Sequence, residues 1–128
     1  MIYLDTSVAL AHLFVEDRRP PPALWDERLI ASQLLQYEVW CRIHSLDRTV
    51  SHGDASRQLL ARIGLVELAP PVLARALEPF PLPVRTLDAI HLATIEFLRG
   101  QGRKIELASY DERMLAVAKR LDVPIAAA

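Results

Sequence analysis

The chain has 128 residues, of which 52% are hydrophobic and 24% charged, so it is long enough to bury a core and is not a disordered segment. Its net charge of −1 excludes a protein that holds polyanions by charge alone. No apolar run reaches the roughly 18 residues of a membrane span, and the first residues lack a signal-peptide pattern. The single cysteine, Cys41, excludes an internal disulfide and indicates a reducing, cytoplasmic setting. We expect one domain over residues 1–128, with Cys41 in its core.

Short apolar strands alternate with helical patterns along the chain. In order, the pattern predicts a strand at 2–4, a helix at 8–14, a helical turn at 23–27, a strand at 29–31, helices at 34–46 and 54–63, a strand at 65–68, helices at 71–77 and 86–99, a strand at 105–108, a helix at 112–121 and a strand at 124–126. Gly64 and Gly100 are predicted to end their helices, and Thr86 to cap one. Strands separated by helices predict an α/β fold with a mostly parallel sheet covered on both faces.

Four of the 16 acidic residues stand apart from the solvated majority. Asp5 follows the first strand and Asp111 follows the strand at 105–108, and the carboxyl ends of parallel strands are where ligands gather. Glu38 lies in the helical stretch LLQYEVWCRI, and Asp88 lies in the first turn of RTLDAIHLATIEFL, a helix that is apolar nearly all round. A buried carboxylate must be paired, capped or bound to a cation, because an isolated buried charge is too costly.

Each of these carboxylates also has a purely structural explanation. Asp5 and Asp111 could cap the helices that follow them, and the helix dipole favours Asp88 by about 0.3–1 kcal/mol. Glu38 could pair with Arg42 one helical turn later. A single metal site would explain all four carboxylates at once, whereas the structural explanations require a separate reason for each carboxylate.

The residue types indicate which ion such a site would hold. Clustered carboxylates suit a hard divalent cation such as Mg²⁺, which prefers oxygen ligands. The four histidines are scattered and give no zinc pattern. Of these, His91 lies three residues after Asp88, and we expect it to be a hydrogen-bonded packing histidine.

Four stretches, YLDTS, LLQYEVWCRI, RTLDAIHLATIEFL and LASYDERMLAVAKRL, resemble in order the signature blocks of the PIN-domain family. More narrowly they resemble its VapC-type toxins, and DAIHLAT is the most specific block. The resemblance implies a three-layer α/β/α sandwich around a mostly parallel sheet. It also implies an Mg²⁺- or Mn²⁺-dependent endoribonuclease acting on transfer or ribosomal RNA, inhibited by a cognate antitoxin and usually a homodimer.

The resemblance carries the family's catalytic and metal-binding acids onto the same four carboxylates, Asp5, Glu38, Asp88 and Asp111. Asp5 and Asp88 are the expected direct ligands, Asp111 completes the shell directly or through water, and Glu38 binds a second ion or a water, as a general base. Hydroxyl groups that would orient carboxylates or water fall on Thr6, Ser7 and Ser109. Contacts to RNA are expected from Arg85, Arg18 and Arg19.

One alternative from a different class stays open at this level. A non-catalytic acidic pocket or phosphoacceptor module of similar fold would also place carboxylates at the sheet edge, but it would want a lysine nearby, and Lys104 and Lys119 are not well placed. A haloacid-dehalogenase-like phosphatase would need an aspartate where Ser7 stands. Four apolar helix residues are candidates either for the dimer interface or for the core: Leu34, Leu35, Trp40 and Leu59.

Overall fold

A computed structural model describes all residues, 1–128. The elements in chain order are β1 (Ile2–Leu4), α1 (Thr6–Leu13), a 3₁₀-helix (Pro22–Asp26), β2 (Leu29–Ser32), α2 (Leu34–Ser45), α3 (Thr49–Ala61), β3 (Ile63–Val66), α4 (Pro70–Ala76), α5 (Thr86–Gly100), β4 (Glu106–Ala108) and α6 (Glu112–Arg120). The predicted alternation of strands and helices is confirmed. None of the helices combines the length and the apolar character that crossing a bilayer requires.

The four strands form one parallel sheet in the order β3-β2-β1-β4. Tyr3 in the central strand β1 lies opposite Ile30 of β2 on one side and Leu107 of β4 on the other. The chain therefore adds strands on one side of β1 and then returns to add β4 on the other. The carboxyl ends of β1 and β4 flank this reversal, which is where open α/β sheets bind ligands.

Alternating side chains of the strands divide the core into two layers. On one face, Ile2 and Leu4 pack with buried residues of α1, α2 and α3: Val8, Leu35, Val39, Ile43 and Leu59. On the other face, Tyr3, Ile30 and Leu107 pack with buried residues of α5 and α6: Leu92, Ile95, Leu98, Met114 and Val117. The three-layer α/β/α sandwich is thus confirmed, and its period-two strands explain it.

Several predicted boundaries were wrong. Helix α3 begins at Thr49 rather than at residue 54, and Gly64 lies inside β3 instead of ending a helix. Thr86 begins α5, but its side chain does not cap it. Gly100 is the last residue of α5, and the turn follows at Gly102, whose φ of 83° suits glycine.

Two further expectations were also wrong, and one open choice is decided. The strand predicted at 124–126 is reduced to a single bridge between Leu107 and Ile125. Cys41 is exposed rather than in the core, because it lies on the outward side of α2. Of the candidates for the dimer interface, Leu34, Leu35 and Leu59 are buried in the core and Trp40 packs against it.

Candidate active site

Asp5 is the first residue after β1 and is almost fully buried, with 4% of its surface exposed. It occupies the N-cap position of α1, yet its side chain makes no capping hydrogen bond, so the capping explanation fails for this residue. Its Oδ2 instead accepts hydrogen bonds from Ser7 Oγ at 2.6 Å and from Ser109 Oγ at 2.8 Å. The two hydroxyls thus fix the carboxylate through one oxygen and leave Oδ1 without a protein donor.

Asp111 caps α6 and also belongs to the acidic edge. By this name we mean the carboxyl ends of β1 and β4 with the side chains of Asp5, Glu38, Asp88 and Asp111. Its Oδ1 accepts from the backbone N–H groups of Arg113 at 2.9 Å and Met114 at 3.3 Å, which confirms the capping explanation here. Its own N–H donates to Ser109 Oγ at 3.0 Å. The second oxygen, Oδ2, takes no part in the cap and lies 3.5 Å from Nη2 of Arg85. Capping and a site role therefore use different oxygens of the same carboxylate.

Asp88 lies in the first turn of α5, with 19% of its side chain exposed. Burial raises the pKa of its carboxyl group, and repulsion from Asp111 and then Asp5 raises it further, while Arg85 and His91 act in the opposite direction. Asp88, in the first turn of a helix, therefore lies within electrostatic reach of the carboxylates that follow two strands.

Arg85 bridges two of these carboxylates. Its Nε lies 3.7 Å from Asp88 Oδ2, and its Nη2 lies 3.5 Å from Asp111 Oδ2. The side chain is 66% exposed, so the pairing is loose and screened by solvent. In the sequence, Arg85 lies just before the DAIHLAT stretch that contains Asp88. In the structure, its guanidinium lies at the acidic edge itself.

Glu38 projects from α2 and does not pair with Arg42. Its Oε1 accepts from Thr6 Oγ1 at 2.8 Å and is contacted by Nε2 of His91 at 2.5 Å. Its Oε2 has no hydrogen bond with the protein, and 22% of the side chain is exposed. Glu38 is thus fixed through one oxygen, as Asp5 is, and presents the other.

A buried chain of hydrogen bonds leads from Glu38 through His91 and Tyr3 to the backbone of Ser32. The N–H of Ser32 donates to Tyr3 Oη at 3.0 Å, and Tyr3 Oη lies 2.7 Å from His91 Nδ1. Burial raises the pKa of Tyr3 far above its ordinary value, so the phenol keeps its proton and can donate to Nδ1. The proton of His91 is then on Nε2, the nitrogen that faces the acceptor-only carboxylate of Glu38.

His91 and Tyr3 are the residues whose link to the site was missed in the sequence. His91 is the hydrogen-bonded packing histidine we expected, with 1% of its surface exposed, but its partner is a candidate site residue. Tyr3 gave one available signal. It is a tyrosine in the middle of a buried strand, and its hydroxyl needs a partner there.

The donor chemistry of this edge fits a hard divalent ion. Asp5 Oδ1 and Glu38 Oε2, which accept no hydrogen bond from the protein, and Asp111 Oδ2, which only Arg85 approaches, are all carboxylate oxygens. One thiol, that of Cys41, lines the small cavity beside Glu38. As the side chains stand, no three acidic, histidine or cysteine groups are gathered closely enough to enclose an ion. Arg85 lies where positive charge is needed between Asp88 and Asp111, so an ion binding there would replace its guanidinium.

The other residues predicted near the site are separated by the structure. The guanidinium of Arg18 lies 4.3 Å from the ring centre of Tyr110, which directly follows Ser109. Arg19 acts instead on His12, whose pKa is lowered first by burial, then by Arg62 and Arg19.

Comparisons with known proteins agree with this architecture. The family model for the PIN domain matches residues 2–120. The chain is 38% identical to Ribonuclease VapC46 of Mycobacterium tuberculosis (strain ATCC 25618 / H37Rv), over 98% of this chain and 96% of that protein. It is 29% identical to Ribonuclease VapC35 of M. tuberculosis (strain CDC 1551 / Oshkosh), over 99% and 96%. A solved toxin-antitoxin complex from Klebsiella pneumoniae contains a chain with a similar fold, with a TM-score of 0.66, 18% identity and 91% of each chain covered.

Proposed function

Because this chain belongs to the PIN-domain family, and within it to the VapC-type ribonucleases, we propose that it is a divalent-metal-dependent endoribonuclease that hydrolyses RNA phosphodiester bonds. The observation that carries the proposal is the convergence of three carboxylates. Ser109 Oγ hydrogen-bonds both Asp5 Oδ2 and the N–H of Asp111, and Arg85 lies 3.5 Å from Asp111 Oδ2 and 3.7 Å from Asp88 Oδ2, so two strand ends and the first turn of α5 meet at this edge. The negative charges of Asp111 and Asp5 also raise the pKa of Asp88. Such repulsion is relieved by a cation.

In this proposal Asp5 and Asp88 would hold Mg²⁺ or Mn²⁺ directly, and Asp111 would complete the site directly or through a water. When bound, the ion neutralises charge on the phosphate and the leaving oxygen and makes a bound water more acidic. Ser7 and Ser109 hold Asp5 Oδ2, so the free Oδ1 is the oxygen available to the ion. In the same way, the cap of α6 holds Asp111 Oδ1 and leaves Oδ2 as the oxygen available to the ion.

Glu38 is the candidate general base. Its Oε1 is held by Thr6 and His91, so Oε2 is free to accept the proton of an attacking water or to bind a second ion. Two donors on one oxygen also limit rotation of the carboxylate. The hydrogen bond from Thr6 to Glu38 supports the role we propose for Thr6, that of a positioning residue.

The partner we propose is a cognate antitoxin that places an arginine among the carboxylates. The position of Arg85 supports this, since a guanidinium already fits between Asp88 and Asp111. A homodimer is also proposed from the family. Its surface would have to use residues other than Leu34, Leu35 and Leu59, which are buried within the chain.

The test is cleavage of purified total RNA by the chain without antitoxin, in Mg²⁺, in Mn²⁺ and in EDTA. We expect metal-dependent cleavage at discrete sites. Asp88→Asn should reduce the cleavage rate at least about 100-fold, because losing a group that only supports a metal ligand already costs up to about 100-fold. Asp122→Asn is the matched control. Asp122 is exposed on the α6 side, and asparagine tolerates its positive φ of 58°. Cleavage that survives EDTA and Asp88→Asn would contradict the proposal.

A further inference from the structure

A second depression adjoins the acidic edge and has no role in the site described so far. It has a volume of about 570 Å³, within the range of small-molecule sites, and lies between the end of α1, the link from α2 to α3 and the residue after Ser109. We call it the flanking groove and define it by six of its lining residues: Ser7, Phe14, Arg42, Arg48, His52 and Tyr110.

The flanking groove is joined to the acidic edge at two points. Ser7 Oγ accepts from the N–H of Tyr110 at 2.9 Å and donates to Asp5 Oδ2 at 2.6 Å, so one hydroxyl belongs to both. Arg42 also lines a smaller cavity of about 240 Å³ that contains Thr6 and Glu38. A polymer lying across the carboxylates could therefore continue into the groove without leaving the protein surface.

The charge of the flanking groove is the opposite of that at the acidic edge. Arg42 and Arg48 are both exposed, and neither forms an ion pair. Glu16 is the one acidic residue that lines the groove. Since the edge repels phosphate until a cation is bound, affinity for a polyanion must come from nearby arginines, which suit phosphate through bidentate contacts.

Aromatic groups accompany these charges. The rings of Phe14 and His52 lie 4.8 Å apart at an angle of 33°, and Tyr110 carries the guanidinium of Arg18 over its face. The hydroxyl of Tyr110 is buried without a hydrogen-bond partner. Cations beside aromatic faces are the combination that single-stranded nucleic acid uses, with phosphates on the cations and bases on the rings.

We propose that the flanking groove binds unpaired nucleotides of the RNA next to the phosphate that is cleaved, with Arg42 and Arg48 on the phosphates and the Phe14–His52 pair against a base. This inference rests on the proposed ribonuclease function and extends it. The nucleotides that enter the groove must be unpaired, because paired bases do not offer their faces for stacking.

The test is the anisotropy of a fluorescein-labelled oligouridylate of about twelve nucleotides, titrated with the full chain carrying Asp88→Asn to prevent cleavage. Arg42→Gln and Arg48→Gln should each weaken binding at least about tenfold, as expected for a charge-assisted hydrogen bond. Each should also reduce the slope of log K against log salt by about 0.7. The matched control is Arg103→Gln, an exposed arginine before β4 at the opposite end of the sheet, which should leave the affinity unchanged.

A second pair of variants separates stacking from charge. His52→Ala should weaken binding, whereas His52→Phe should retain it, because phenylalanine keeps a ring face at the same place. Far-ultraviolet circular dichroism and urea midpoints show whether each variant is folded.

The proposal is overturned if the Arg42→Gln/Arg48→Gln double variant binds with unchanged affinity and salt slope, or if the Asp88→Asn parent binds no oligonucleotide at the highest attainable concentration. It is equally overturned if the double variant keeps its RNA affinity but loses its affinity for the antitoxin, since the groove would then belong to that protein. If the unmodified chain binds RNA through the groove but cleaves none, the groove stands and the proposed ribonuclease function fails.

Discussion

Removing one hydroxyl from Tyr3 and one from Tyr110 should have opposite effects on stability. The hydroxyl of Tyr3 is fully buried, accepts from Ser32 N–H at 3.0 Å and lies 2.7 Å from His91 Nδ1. The hydroxyl of Tyr110 is also buried but has no partner. The substitutions Tyr3→Phe and Tyr110→Phe delete the same atom and leave rings of the same size, so they differ only in what the hydroxyl contacts.

The expected magnitudes follow from those contacts. Tyr3→Phe leaves two buried polar groups unpaired, the N–H of Ser32 and Nδ1 of His91, and each costs about 1–3 kcal/mol. We therefore expect the free energy of unfolding to fall by about 2–6 kcal/mol, a large part of the roughly 5–15 kcal/mol of an ordinary domain. Tyr110→Phe removes a buried polar atom that gains nothing, so we expect no loss and a gain of up to about 1 kcal/mol.

Urea denaturation followed by circular dichroism measures both effects. With a slope of about 2 kcal/mol per molar urea, the middle of the usual range of about 1–3, Tyr3→Phe should lower the midpoint by roughly 1–3 M, and Tyr110→Phe should leave it unchanged or raise it. Equal losses in the two variants, or a loss below about 1 kcal/mol for Tyr3→Phe, would show that the buried chain of hydrogen bonds does not have the energetic role assigned to it.

Two more predictions concern residues that serve both the fold and the site. Asp111→Ala should lower the free energy of unfolding by about 0.5–2 kcal/mol, because α6 loses its cap. Asp111→Asn should keep the cap and the stability but lose the negative charge and with it RNA cleavage. Equal stability of the two variants in urea would contradict the capping role of Asp111. Arg85→Ala should raise the affinity for Mn²⁺ in calorimetric titrations by up to about tenfold, because Arg85 competes with the ion for Asp88 and Asp111. The gain should shrink at high salt, where the exposed pairing of Arg85 with these carboxylates is screened. An unchanged affinity at low salt would refute this competition.

The places of Asp5 and Asp111 in the fold were predictable from their positions in the chain, because the relevant rule concerns the ends of strands. Asp5 and Asp111 each follow an apolar strand, and parallel strands that are neighbours bring such residues together. The boundaries of α3 were less predictable. Its first residues, Thr49 to Gly53, include poor helix formers, yet Gly53 is buried there with Trp40 close by, so packing overrides intrinsic propensity.

The support of Glu38 could not have been found from local patterns. Helical spacing offered Arg42 as its partner, whereas the structure supplies His91, which lies 53 residues away in sequence. Tyr3 in turn contacts His91 across 88 residues. Periodicity identifies which residues face the core, but the choice among buried polar partners depends on which elements the fold places side by side.

The hydrogen bond between Asp5 and Ser109 joins positions 104 residues apart, so the edge is completed only when β4 takes its place beside β1. A ribosome adds about 5–20 residues per second, which means that a nascent chain spends several seconds with Asp5 exposed and its supporting hydroxyl not yet made. During translation the pair of hydroxyls that fixes Asp5 is therefore incomplete until β4 and Ser109 have been made. Any activity that needs Asp5 held in this way would begin only after the last strand has docked beside β1.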